Sequence, residues 1–344
     1  MSKQPGQRGR TMTFSIKSVG IVAAGIAAIA SAAVLPAPAY AASAGTAFIA
    51  DYTVEFTAAK GAVNDVVIIV NGKTVTIDDR VAIKPGPGCR AVPGDSTKVR
   101  CTDDHLFWIF AKLGDRNDRI VNRSAIDIMV LGGAGDDRIA GGSTADSLYG
   151  GSGRDVLSGG AGPDSLIGGT GDDVLGGGAG NDNLNADAGR DVMRGGSGID
   201  LAYYGGRRGA VRVDLDGAKG DDGAPGEGDT VGADVEMIVG GSGNDRLTGN
   251  GAANRIYGGT GDDRISGGGG KDLLVGQGGN DTLRGDAGSD RLYGEQEHAR
   301  VPDADGTPAS NPKAKDHLNG GTATDTCVGG SATTKVNCEI RRES

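Results

Sequence analysis

The sequence predicts an all-β fold, a solenoid of very short strands with a β-rich N-terminal cap, and three observations predict it. An aspartate recurs every nine residues at Asp137, Asp146, Asp155, Asp164, Asp173, Asp182, Asp191 and Asp200. Two positions after each stands a mostly apolar residue: Ile139, Leu148, Leu157, Leu166, Leu175, Leu184, Met193 and Ala202. Paired glycines usually open the unit, as in Gly150-Gly151-Ser152-Gly153-Arg154-Asp155-Val156-Leu157-Ser158, the pattern G-G-x-G-x-D-x-U-x. The step resumes at Asp245, Asn254, Asp263, Asp272, Asp281 and Asp290, followed by Leu247, Ile256, Ile265, Leu274, Leu283 and Leu292.

Each nonapeptide divides into two halves. The Gly-Gly-x-Gly segment asks for backbone angles that side chains resist and reads as a turn. The D-x-U-x remainder suits a strand of about three residues with one side chain inward. Two units, eighteen residues, then make one flattened coil, and coils stack at the ~4.8 Å strand spacing around a thin core. Asp137, Asp155, Asp173 and Asp191 fall on one edge; Asp146, Asp164, Asp182 and Asp200 fall on the opposite one. In the second array Asp245, Asp263 and Asp281 share an edge, as do Asn254, Asp272 and Asp290. A flexible low-complexity linker would not hold Leu and Ile in register with Asp, and collagen needs glycine at every third position.

Stacked carboxylates repel. At ~5 Å and an effective dielectric of ~20, each neighbouring pair costs roughly 3 kcal/mol. Several pairs rival the whole stability of a domain, about 5–15 kcal/mol. A counter-ion on each edge is therefore expected. Carboxylates and turn carbonyls offer an all-oxygen shell that suits calcium better than magnesium. Neither array holds His or Cys, which argues against zinc and copper. The expected cofactor is Ca2+, several ions per chain.

These residues resemble the hemolysin-type calcium-binding repeat of the RTX family, closely over 132–203 and 240–293. The resemblance implies a right-handed parallel β-roll that is disordered without calcium and folds on binding it. It also implies that aspartates of two same-edge turns share an ion with glycine-turn carbonyls. The metal-binding carboxylates would be Asp137, Asp146, Asp155, Asp164, Asp173, Asp182, Asp191, Asp200, Asp245, Asp263, Asp272, Asp281 and Asp290. Departures predict weaker sites. Asn254 and Ala252 alter one turn, Thr144 replaces a glycine before Asp146, and Ala186-Asp187 replace the pair before Asp191.

The other segments follow in chain order. Residues 1–41 read as a secretory signal peptide: Lys3, Arg8, Arg10 and Lys17 precede an apolar run from Val19 to Leu35, then Ala39-Tyr40-Ala41. Its removal takes four positive charges and moves the net charge from −10 to −14. The expected chain is secreted, with no stable membrane insertion after cleavage. So acidic a chain is a poor partner for nucleic acid.

Residues 42–131 read as the β-rich cap. Val66-Val67-Ile68-Ile69-Val70 and Thr74-Val75-Thr76-Ile77, joined by Asn71-Gly72, predict a hairpin. Gly114-Asp115-Arg116-Asn117-Asp118-Arg119-Ile120 looks like a decayed repeat, with Asp127 nine residues after Asp118. Phe107, Trp108 and Phe110 are expected to plug the first coil. Residues 204–239 interrupt the arrays with two strands, Val211–Leu215 and Val235–Val239, around the acidic loop Gly220–Asp229. The expectation is a solenoid coil with a protruding loop; the sharper reading is an extra calcium loop. Residues 294–315, with Pro302, Pro308 and Pro312, form a second insertion. The only EF-hand resemblance is Asp303-Ala304-Asp305-Gly306, with no Glu at the closing position, and chance is the better explanation. Asp316-His317-Leu318 and Asp325-Thr326-Cys327 resume the motif in a closing segment, 316–344.

Four cysteines form two local pairs, Cys89 with Cys101 and Cys327 with Cys338. Export favours disulfides; three connectivities are open, and the long separation between the pairs favours the local one.

No catalytic constellation assembles. His105, His298 and His317 are scattered, and neither H-E-x-x-H nor G-x-S-x-G occurs. The chain is therefore expected to be no enzyme but a structural or adhesion protein whose partner is an extracellular protein or glycan. The alternative is a secreted hydrolase or toxin-related protein with a cryptic site in the insertions. The regular Thr or aromatic face of an ice- or polysaccharide-binding solenoid is not evident.

Overall fold

A computed structural model describes residues 44–295, 316–328 and 333–340. The signal segment, the 303–306 fragment and His298 lie outside the described residues. Every regular element described is a β-strand.

The nine-residue unit folds as its composition requires. Ser147–Ser152, Ser165–Thr170 and Asn183–Ala188 stack in parallel in one sheet. Val156–Ala161, Val174–Ala179 and Val192–Ser197 stack in another. Leu148 pairs with Leu166, and Leu157 with Leu175. Partners are thus eighteen residues apart, two units to a coil. The single apolar residue of each unit points inward: Leu148, Leu157, Leu166, Leu175 and Leu184 are all buried in one continuous core.

One 15-stranded sheet runs the length of the roll, while the other side is divided between a 10-stranded and a 6-stranded sheet. The division falls at the interruption. Thr230–Val231 ends the 10-stranded sheet and Arg212–Asp214 begins the 6-stranded one. Met237–Val239 continues the long sheet without a break. The 204–239 segment is therefore built into the solenoid. Its acidic loop is tied by antiparallel bridges between Arg212 and Gly223 and between Asp222 and Asp229.

In the cap, Asp65–Asn71 and Thr74–Asp78 form the hairpin expected from Asn71-Gly72, and Asp65–Asn71 also pairs in parallel with Arg119–Asn122 of the first coil. Cys89 is bonded to Cys101 and Cys327 to Cys338.

Three expectations need correction. Phe107 and Trp108 do not plug the first coil: they are 65% and 38% exposed, and Ile109, Ala111 and Leu113 take the inward positions. The strand Trp108–Asp115 alternates, so Trp108 and Phe110 fall on its outer face, while Phe107 lies just before it. Asp127 is one residue out of phase, because the coils here are nineteen residues apart and Ile109 pairs with Ile128. An aromatic column does exist. Tyr203, Val239, Tyr257, Val275 and Tyr293 are successive register partners on the outer face of the long sheet. The tyrosines alternate with valines from coils of different sequence, so the nine-residue pattern conceals the column.

Candidate metal centres

Each repeat aspartate sits at the end of the glycine turn, immediately before its strand, with its side chain folded inward. All thirteen predicted metal-binding aspartates are buried. They form ladders held by a repeated hydrogen bond: the amide of one aspartate donates to Oδ1 of the aspartate one coil further on.

On one edge Asp118 donates to Asp137 at 2.8 Å, Asp137 to Asp155 at 2.7 Å, Asp155 to Asp173 at 2.8 Å and Asp173 to Asp191 at 2.8 Å. On the other, Ile128 donates to Asp146 at 2.9 Å, Asp146 to Asp164 at 2.8 Å, and Asp164 to Asp182 and Asp182 to Asp200 at 2.9 Å. The second array repeats the arrangement. Asp245 donates to Asp263 at 2.8 Å and Asp263 to Asp281 at 2.9 Å, while Asn254 donates to Asp272 and Asp272 to Asp290, both at 2.8 Å. The sequence-predicted edges are therefore brought together as two ladders in each array.

The hydrogen bond occupies one oxygen. The other, Oδ2, is buried without a partner in Asp137, Asp146, Asp155, Asp164, Asp173, Asp182, Asp191 and Asp200, and again in Asp263, Asp272, Asp281 and Asp290. A buried polar atom left unpaired costs about 1–3 kcal/mol, and more when charged. The glycine turns frame the space around these oxygens. A Cβ on Gly150 would collide with Asp155 Oδ2 and with the Gly168 carbonyl oxygen of the next coil. The first glycine of a unit thus keeps open a cradle lined by a carboxylate and a main-chain oxygen. Gly153, with φ of 129°, makes the turn that an L side chain would strain.

Burial pushes these carboxyls upward, and neighbouring carboxylates add to it. Asp137, Asp164, Asp173, Asp191 and Asp281 rise to about 7 and Asp263 to about 8. Asp146, Asp200 and Asp272 rise to about 6. A site in which protons bind so tightly is short of positive charge. Orphaned carboxylate oxygens, carbonyl-lined cradles and an all-oxygen donor set fit calcium. The Oδ2 atoms and turn carbonyls would hold it, and the ion would supply the missing charge between coils.

Three predicted positions differ. Asp245 has both oxygens occupied, by the amides of Val211 at 2.8 Å and Gly241 at 2.7 Å. Asn254 Oδ1 accepts from the Asn250 amide at 2.8 Å, closing the turn on itself. Ala186 stands where Asp191 would have its cradle glycine, so a methyl group enters that space.

The ladders also extend beyond the predicted residues. Asp191 donates to Asp229 at 3.0 Å, Asp200 to Glu236 Oε2 at 3.0 Å, Asp281 to Asp316 at 3.1 Å and Asp290 to Asp325 at 2.9 Å. A signal for all four was present: an acidic residue two positions before a buried apolar one, as in Asp229-Thr230-Val231 and Glu236-Met237-Ile238. Asp229 Oδ2 accepts from the Tyr204 hydroxyl at 3.1 Å, so that ladder ends on a phenol. Asp214, which ends the strand Arg212–Asp214, and Asp216 just after it cluster with Asp221 of the acidic loop, and Arg212 already pairs with Asp214.

Stacked nonapeptide coils whose turns enclose rows of oxygen-only half-sites define a calcium-binding β-roll. The family model of the RTX calcium-binding nonapeptide repeat (4 copies) matches residues 131–166, 167–202, 231–265, 239–274 and 266–298. Over residues 131–202 and 231–298 this chain is thus similar to the RTX calcium-binding nonapeptide repeat. A comparison with curated proteins found no match.

Proposed function

We propose that this chain is a secreted protein whose roll folds outside the cell when calcium fills the turns, and that the folded rod serves a structural or adhesive role. The observation that carries the reading is the row of buried Oδ2 atoms without partners. Without cations that row opposes folding; with them, binding free energy becomes folding free energy. Extracellular calcium modules work near about 10⁻⁴–10⁻³ M, a range that would keep the chain unfolded inside the cell and fold it outside.

The reading assigns no catalytic step. His105 and His317 are exposed, and the repeat carboxylates belong to the ladders. The open cavity over the acidic loop is lined by Arg190, Arg212, Asp221, Asp222, Glu227 and small residues, with no Ser, Cys or His. Circular dichroism of residues 42–344 tests the proposal. Strand signal should be weak in chelator and rise cooperatively with calcium; a fully folded metal-free chain would overturn it.

A further inference from the structure

We propose an additional cation site at the junction of cap and roll, formed by Asn64 Oδ1, Asp79 Oδ2 and Asp118 Oδ2, and taking a hard divalent ion, calcium. It rests on the calcium reading above, but its residues lie outside the segments that match the nonapeptide family.

Two carboxylates accept from consecutive amides, and the Asn64 side chain reaches one of them. The Asn64 amide donates to Asp118 Oδ1 at 2.6 Å, and Asn64 Nδ2 donates to the same oxygen at 3.0 Å. The next amide, Asp65, donates to Asp79 Oδ1 at 2.8 Å, which also accepts from the Arg80 amide at 2.7 Å. Asn64, Asp79 and Asp118 are 1%, 4% and 2% exposed. Each nevertheless retains one oxygen with no hydrogen-bond partner: Asn64 Oδ1, Asp79 Oδ2 and Asp118 Oδ2. Among the described residues no cationic group lies within ion-pair distance of either carboxylate. Arg80, the adjacent cation, directs its Nε to the Val63 carbonyl at 2.6 Å.

Three buried oxygens without a hydrogen-bond partner are the opposite of what a metal-free junction would select. The donors also differ from those of the roll. Leu113 stands five residues before Asp118, where a repeat would have its cradle glycine, so no glycine cradle precedes this carboxylate. The Asn64 amide oxygen takes the place of a turn carbonyl, and Asp79 comes from the far end of the hairpin. A cation here would fasten that hairpin to the first coil, so the cap would dock only in calcium.

The test is calcium stoichiometry of the folded chain, read by native mass spectrometry. Asp79→Asn keeps an oxygen for the Asp65 amide and removes only the charge. The variant should bind one calcium ion fewer than the unaltered protein. An equal count would refute the junction site while leaving the roll reading intact; an unaltered protein that binds none would refute the roll reading itself. Crystals of the unaltered chain loaded with terbium give a second measurement that does not depend on the variant's folding. An anomalous peak among the three oxygens supports the site, and peaks confined to the roll overturn it.

Discussion

The amide of Asp155 donates to Oδ1 of Asp173 at 2.8 Å, while Oδ2 of Asp173 meets no hydrogen-bond partner. One carboxylate therefore has two duties. Its bonded oxygen fixes the register between coils, and its free oxygen demands a cation. The two duties can be separated by substitution.

Asp173→Asn keeps an acceptor for the Asp155 amide and loses the charge. A site held at a hundredfold its Kd contributes about 2.7 kcal/mol. Stability in saturating calcium should fall by up to that amount, and the calcium midpoint of folding should rise. In chelator the variant should be no less stable than the unaltered chain. Thermal melts in calcium and in chelator check both; equal destabilisation in the two would show that the carboxylate acts only through its hydrogen bond.

The cradle glycine gives a second test. Gly150→Ala places a methyl group against Asp155 Oδ2 and the Gly168 carbonyl. Overpacking of this kind costs about 1–3 kcal/mol, and one calcium ion should be lost with it. Gly251→Ala, at a position with open space around it, should change neither stability nor calcium count. Denaturant melts with calcium counts on both variants would decide it.

The repeat and both edges were legible in the sequence because Asp137, Asp155 and Asp173 are separated by one coil, and the period alone places them. Positions where the coil length changes were not. Asp229 follows inserted residues, so counting by nine steps past it, whereas Glu236 is in phase but carries a glutamate where the repeat has aspartate. The acidic residue two before a buried Val231 or Ile238 carries the same message in both. Asp79 was out of reach in another way. It joins Asp118 only through hairpin pairing and the docking of Asp65–Asn71 on Arg119–Asn122, contacts that no local pattern encodes.

Acidity should act in opposite directions with and without metal. The carboxyls of Asp137, Asp173 and Asp281 rise from 3.8 to about 7 through burial and neighbouring charge. A raised folded value means that folding without metal takes up protons. The stability they give the metal-free roll is fully present below 3.8 and is lost as pH rises through about 7. In chelator, strand signal should increase on acidification from about pH 8 to about pH 4. In limiting calcium the ion must displace those protons, so the calcium midpoint should rise as pH falls through the same window. A midpoint independent of pH would contradict the assignment of these carboxylates as the ligands.

Asn254 offers the converse experiment, the creation of a site. A Cβ on Gly249 would collide with Asn254 Oδ1 and the Gly267 carbonyl, so the cradle at this turn has the shape found elsewhere. What differs is the side chain: Oδ1 is bonded to the Asn250 amide, and Nδ2 faces the Glu236 carbonyl at 3.5 Å. Asn254→Asp would replace that donor by a charged oxygen while keeping the Asn250 bond. In chelator the new buried charge should destabilise the roll by about 1–3 kcal/mol. In calcium the loss should be reversed and the stoichiometry should rise by one ion. That ion would join the ladder of Asp146 to Glu236 with that of Asp272 and Asp290, so the two arrays should also melt more cooperatively. An unchanged calcium count with destabilisation in both conditions would show that the turn at 249–254 lacks something besides the carboxylate.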